Sequence, residues 1–294
     1  MIDLKNFSSF HPTVLISYYV LVMFVTLMTA NPIVVGFSFF GSILLFSILN
    51  RFKVVVKELG FYSLFFLLMA LIHPLFVHNG ITVLFFMNDN AITLEAIIYG
   101  IYIGVLVVTI LFWCKSYSDI VSADKFLYLF GRIIPALSLY ISMTMRFIPM
   151  FKSQFKKVNQ AQKTLGFYTS NSMTDRLLGS VRVLKSTFLW ALEHLIHQSE
   201  SMKARGYGLK GRTSFSIFTF CKQDGAMLIV IGILFLLSLW SLPSFYYYYY
   251  PKLASLEWSI MTAFQYAVIS ILMVFPSIIE IKENIKWKYL RSKM

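Results

Sequence analysis

Arg205 stands between Ala204 and Gly206 at the end of the run Lys203-Ala204-Arg205-Gly206. A guanidinium is a planar fork of donors, and a carboxylate can accept it through two parallel, charge-assisted hydrogen bonds. The alanine before it lets another surface approach closely, and the glycine after it can end a helix without a Cβ clash. Forty residues earlier, Thr164-Leu165-Gly166 repeats the order of small residue, variable residue and glycine, with leucine in the variable place. The chemistry on offer is recognition rather than bond making.

Other groupings carry reactive side chains without the spacing that reactions need. Glu193-His194, His197 and Glu200 put two histidines at i, i+3 on a helix, but the HExxH spacing is absent and no third ligand follows. They read as solvated polar positions, not as a metal site. Gly206–Thr213 has the outline of a P-loop, yet Arg212 replaces the phosphate-reaching lysine and a helix precedes it where a strand belongs. ATP binding is therefore not expected at this run. Glu95 falls in the first turn of a helix, where the macrodipole stabilises an acid. His73-Pro74 and His78 read as loop and cap residues near a membrane surface, and Cys114 and Cys221 as small packing residues. No ordered nucleophile, cofactor loop or metal cluster emerges, and no enzyme is expected.

Two helices must position the two glycine-ended motifs. Phe147, Phe151, Phe155 and Val158 recur at spacings of four, four and three, one helical face, while Lys152, Lys156, Lys157 and Lys163 lie mostly elsewhere on the wheel. This helix is expected to end at Leu165-Gly166, the glycine supplying a left-handed cap. A second helix is expected to start near Ser172–Thr174, with Asp175 in its first turn. Its stripe is Leu177, Val181, Leu184, Phe188, Leu192 and Leu195, and it closes at Arg205-Gly206. Such faces bury themselves against each other, a bilayer surface or a partner.

The rest of the chain is membrane-like. Of 294 residues, 58% are hydrophobic and 13% charged, about half the charged share of a soluble domain. Mean hydropathy is +0.71. Six stretches approach the length of about 20 apolar residues that a spanning helix needs: Thr13–Ala30, Ile33–Leu49, Leu59–Val77, Ala91–Cys114, Ala226–Leu242 and Ser259–Ile279. Asn31-Pro32 makes a tight break between the first two. The net charge of +13 would suggest nucleic acid in a soluble protein, but here it sorts by side. With the N-terminus inside, the outer segments hold only Lys252 among 26 cations, so the positive-inside rule places both termini in the cytoplasm. The five tyrosines Tyr246–Tyr250 then read as an outer aromatic belt. Phe126–Met150, interrupted by Arg132, Pro135, Arg146 and Pro149, reads as a bent or interfacial segment or as a tilted span.

In order along the chain, Ser9-Phe10-His11-Pro12, His73-Pro74-Leu75-Phe76 through Gly80, Ile92-Thr93-Leu94-Glu95, Met145-Arg146-Phe147-Ile148-Pro149 with Ala161-Gln162-Lys163, and Ser201–Tyr207 with Arg212-Thr213 form a series. That series resembles the T component of energy-coupling-factor (ECF) transporters, the transmembrane coupling subunit of vitamin and metal-ion importers. The resemblance implies that each of two coupling helices presents an Ala-Arg-Gly-like end to one of two cytoplasmic ATP-binding subunits. By position these ends are Thr164, Leu165 and Gly166, and Ala204, Arg205 and Gly206. Leu165 departs from the pattern, so the pair is expected to dock asymmetrically, one end apolar and the other electrostatic. The resemblance also implies a membrane-embedded, substrate-binding S component, and a fold of about six transmembrane helices plus long amphipathic cytoplasmic helices, all α.

The chain then divides into four spans over 1–114, a cytoplasmic or interfacial coupling region over 115–225, and a transmembrane hairpin with a basic tail over 226–294. The expected function is non-catalytic coupling of ATP hydrolysis to import, in a prokaryotic cell membrane and without nucleic acid or cofactor. A secondary transporter or a conventional ABC permease is the alternative; the former lacks a convincing internal repeat and midplane charges.

Overall fold

Proline opens the first two helices, and the residue before each proline caps it. His11 Nδ1 accepts the Thr13 N–H at 3.3 Å, and Asn31 Oδ1 accepts the Ile33 N–H at 2.9 Å. Proline at N1 has no N–H to leave unsatisfied, so the start is fixed at no loss of hydrogen bonding. A computed structural model of the chain describes residues 6–87, 90–166, 173–209, 218–255 and 258–292. Its residues group into two units, Met1–Lys125 with Phe218–Met294, and Phe126–Ile217.

The first unit contains α1 (Pro12–Met28), α2 (Pro32–Leu49), α3 (Phe52–Phe76), the strands β1 (Val83–Met87) and β2 (Asn90–Thr93), α4 (Leu94–Ile120), α8 (Lys222–Ser241) and α9 (Ile260–Arg291). Among the described residues, five helices are long and apolar enough to cross a membrane: α2, α3, α4, α9, and α8 with the 3-10 turn that follows it. α1 is apolar too, and its 17 residues span about 26 Å, close to the hydrocarbon thickness. Among the described residues the fold is thus all-α apart from one short antiparallel hairpin. Three helices outrun the expected spans: α3 begins at Phe52, α4 continues to Ile120, and α9 runs on to Arg291.

α2 packs on α4 and α9, α3 on α4, and α1 on α8 and α4. Close approach uses small residues, as expected where lipid supplies no hydrophobic drive between helices. A Cβ on Gly41 would lie 2.8 Å from the Met273 carbonyl, and one on Gly104 would lie 2.9 Å from the Phe66 ring. Several buried polar groups are paired across helices: Thr26 with Ser38 at 2.8 Å, Trp113 Nε1–H to Ser38 Oγ at 3.0 Å, and the Tyr18 hydroxyl to the Leu272 carbonyl at 3.1 Å.

Several expectations for the outer segments change. Ala91–Thr93 belong to a strand, not to the expected span Ala91–Cys114, because Phe85 pairs with Ile92 and Phe86 with Ala91 in the β1–β2 ribbon and α4 starts only at Leu94. Glu95 is buried at the foot of that ribbon, where its carboxylate accepts the Thr82 N–H at 3.3 Å and the Thr82 hydroxyl. His73 lies within the last turn of α3, not in a loop, and its Nε2 is 3.2 Å from the Tyr250 hydroxyl. The tyrosine run is only partly a belt. Tyr246 and Tyr248 are exposed, but Tyr249 is buried against Tyr99 and Tyr102 and donates to the Ala30 carbonyl at 3.1 Å.

The second unit is built on α6 (Pro135–Thr164) and α7 (Met173–Ala204), preceded by α5 (Ala123–Ile133), which crosses the boundary between units. Of the two prolines expected to interrupt Phe126–Met150, only Pro135 does so, with Ile134 held out of the helical region, as a following proline favours. Pro149 stays inside α6. The stretch is therefore two helices meeting at Ile134, neither of them among the spans.

Candidate functional site

α6 and α7 lie antiparallel. The Phe147 ring meets His194 at 5.9 Å and the Phe151 ring meets Trp190 at 6.0 Å, so rising numbers on one helix face falling numbers on the other. Continued at the same register, Gln162 comes opposite Gly179, and both are buried. The expected face of α6 is met in part: Phe147 and Phe151 contact α7, Val158 is half-buried, and Phe155 is exposed, as are Lys152, Lys156, Lys157 and Lys163.

α7 behaves differently. It turns Gly179, Val183, Trp190 and His194 toward α6. Leu177, Val181, Leu184, Phe188, Leu192 and Leu195 are 41–66% exposed, and at 100° per residue they centre nearly opposite the α6-facing side. The apolar stripe does not close the helix pair; it faces away from it.

The two motif-bearing ends follow from this geometry. α6 ends at Thr164, whose hydroxyl returns to the Ala161 carbonyl at 2.8 Å. Leu165 is the C-cap and is 71% exposed. Gly166 adopts φ +78° and its N–H donates to the Lys163 carbonyl at 3.2 Å. α7 ends at Ala204, and Arg205 is exposed. Gly206 adopts φ +77°; its N–H donates to the Lys203 carbonyl at 3.0 Å, and the Tyr207 N–H donates to the Met202 carbonyl at 3.0 Å. Those two bonds make a Schellman closure, which satisfies carbonyls that a helix end leaves open. Leu209 folds back so that a Cβ on Gly206 would lie 3.1 Å from its methyl.

The structure does not bring the six motif residues together. Because α6 and α7 are antiparallel, the ends lie at opposite extremes of the pair, roughly 40 Å apart at 1.5 Å rise per residue. Each is a separate exposed knob, one leucine and one arginine, preceded by Lys163 or Lys203 in the last turn, where a cation suits the negative end of the macrodipole. The recurrence of lysine three residues before each glycine is a signal the sequence carries in plain view. Ion pairs join Lys115 to Glu58 and His197 to Glu200, and none joins Arg205 to another of the described residues.

Other candidates are dispersed. His194 stacks on Trp190 at 5.2 Å, whereas His197 pairs with Glu200 at 3.6 Å, and the described residues hold no cluster suited to a metal ion. Of the P-loop-like run, Gly206 and Gly208 both have positive φ, and residues 210–213, including Arg212 and Thr213, lie outside the described residues, as does Ser172. Cys114 is exposed on α4, and Cys221 is the N-cap of α8.

Residues 8–215 match the family described as CbiQ, cobalt transport protein. Curated relatives carry the description "Energy-coupling factor transporter transmembrane protein EcfT". The protein from Brevibacillus brevis is 28% identical over 75% of this chain and 88% of its own length. That from Staphylococcus aureus is 27% identical over 57% and 67%. That from Listeria innocua is 34% identical over 35% of this chain, a match spanning 40% of the relative. The family match takes in α1 through α7 and both glycine-ended helices, and the chain accordingly belongs to the CbiQ family as a transmembrane T component of an ECF transporter.

Proposed function

We propose that this T component couples ATP hydrolysis by two cytoplasmic ATP-binding subunits to uptake of a vitamin or metal ion held by a membrane-embedded S component. The observation that carries the reading is the pair of exposed C-terminal knobs at opposite ends of one antiparallel helix pair. Two separated ends suit two separate subunits, so that motion of either subunit shifts or tilts the helix pair that joins them. Arg205, exposed and without an ion pair among the described residues, suits an acidic groove; Leu165 suits an apolar one. The stripe of α7 that turns away from α6 supports a hydrophobic partner such as the S component. Both termini are cytoplasmic in this reading, since the cations concentrate on that side.

Copurification of the ATP-binding subunits with tagged chain tests the reading. Truncating one partner of a desolvated charge pair costs about 2–5 kcal/mol, so Arg205→Glu is expected to lose at least about 30-fold in retained subunit. Full retention by Arg205→Glu rules the docking role out.

A further inference from the structure

We infer that residues Phe7–His11 form a brace holding both connections through which the helix-pair unit leaves and rejoins the membrane unit. The inference rests on the coupling reading for its consequence, but its geometry stands alone.

The outgoing connection is at Lys125, the last residue of the membrane unit before Phe126. Its ammonium donates to the Ser8 carbonyl at 2.6 Å and to the Ile120 carbonyl at 2.9 Å. The returning connection begins at Phe218. Two residues later the Phe220 ring stands edge-on to the His11 ring at 5.2 Å. The His11 N–H donates to Asp224 Oδ1 at 3.1 Å, and Asp224 Oδ2 accepts the Cys221 N–H at 2.8 Å. Asp224 is 1% exposed. Connections far apart in sequence thus meet on one five-residue piece of chain.

That piece is itself anchored. Phe7 is fully buried, its ring edge-on to Tyr18 at 5.4 Å, and the Ser8 N–H donates to Glu280 on α9 at 3.3 Å. A 3-10 turn over Phe7–Ser9 and proline at position 12 leave little backbone freedom between the two ties. Hydrogen bonds to charged groups are stronger than neutral ones, so the ties are stiff. A connection free to bend would absorb motion of the helix pair as local flexing. A connection tied to a buried segment passes that motion to α1, α8 and α9.

Amide hydrogen exchange on the full chain in nanodiscs, alone and with its ATP-binding subunits, tests the brace. Lys125→Met is expected to speed exchange about tenfold or more over residues 121–133 only, and Asp224→Ala over 218–225 only. Phe7→Ala, which undermines the shared segment, is expected to speed both together. With the subunits bound and ATP plus vanadate added, wild type is expected to change exchange in α1 and α9, and Lys125→Met to lose most of that change. Independent behaviour of the two connections in Phe7→Ala, or an undiminished nucleotide response in Lys125→Met, overturns the brace. Should Arg205→Glu retain the ATP-binding subunits while these exchange signatures hold, the coupling reading fails and the brace survives as a structural tie.

Discussion

Gly166 and Gly206 share one backbone conformation, φ +78° and +77°, each directly after the exposed residue that closes its helix. Any other L-residue held there costs about 1–2 kcal/mol, from its Cβ against the neighbouring carbonyl. At Gly206 a Cβ would also press on Leu209 at 3.1 Å. Gly206→Ala is therefore expected to fray the last turn of α7 and to weaken retention of an ATP-binding subunit about tenfold. Gly206→Asn, which tolerates the left-handed region, is expected to lose less. Equal retention by wild type and Gly206→Val would show that the turn is not needed.

Arg205 and Leu165 occupy matching positions but offer different forces. If Arg205 engages a carboxylate through its fork, charge alone is insufficient. Arg205→Lys keeps the cation and loses the two-point geometry, and is expected to weaken subunit binding about tenfold. Leu165→Ala removes apolar area and is expected to lose less than Arg205→Glu. Salt titration of the copurified complex separates the two ends: binding through Arg205 should fall with ionic strength, and binding through Leu165 should not.

The opposite faces of α7 allow a sharp separation of roles. Val183 is buried against α6 and Phe188 is exposed on the far side. Val183→Asp places an unpaired charge inside the helix pair and is expected to disrupt it, lowering the thermal midpoint of the complex. Phe188→Glu leaves that contact intact, so the ATP-binding subunits are expected to stay bound while the S component is lost. Retention of the S component by Phe188→Glu, with the complex otherwise whole, assigns the stripe to lipid instead.

Much of this architecture is legible in the residues. Asn31-Pro32 and the apolar runs around it announce two helices and their break, because proline and chain polarity act locally. Gly166 and Gly206 announce helix ends for the same reason. The side on which α7 meets α6 is not legible. Periodicity shows that Leu177–Leu195 form an apolar stripe, but not whether the neighbour is protein, lipid or partner. The contacts that do join the helices use Gly179, Trp190 and His194, a mixture no hydropathy rule selects. The Ser8–Glu280 bond joins residues 272 apart, and nothing local to either announces it. The β1–β2 ribbon did leave a trace: an aromatic and aliphatic run, Ile81–Met87, ends at Asn88-Asp89-Asn90, a turn-forming cluster.

His11 supplies a pH test at the same junction. Burial holds its imidazole below the usual histidine value of 6.5, partly opposed by the nearby Asp224 carboxylate. Its Nδ1 accepts the Thr13 N–H, which requires that nitrogen to be unprotonated. In the unfolded chain the ring takes up a proton at a higher pH than in the folded one, so falling pH favours the unfolded form. The stabilisation is complete above about pH 6.5 and is lost as pH drops from there toward the lower folded value. His11→Gln removes this titration. Wild type is expected to lose more thermal stability than His11→Gln between pH 7.5 and pH 5 (about the range where histidine titrates), measured on the detergent-solubilised chain. Parallel losses in the two proteins would show that the imidazole takes no proton on release of the N-terminal segment.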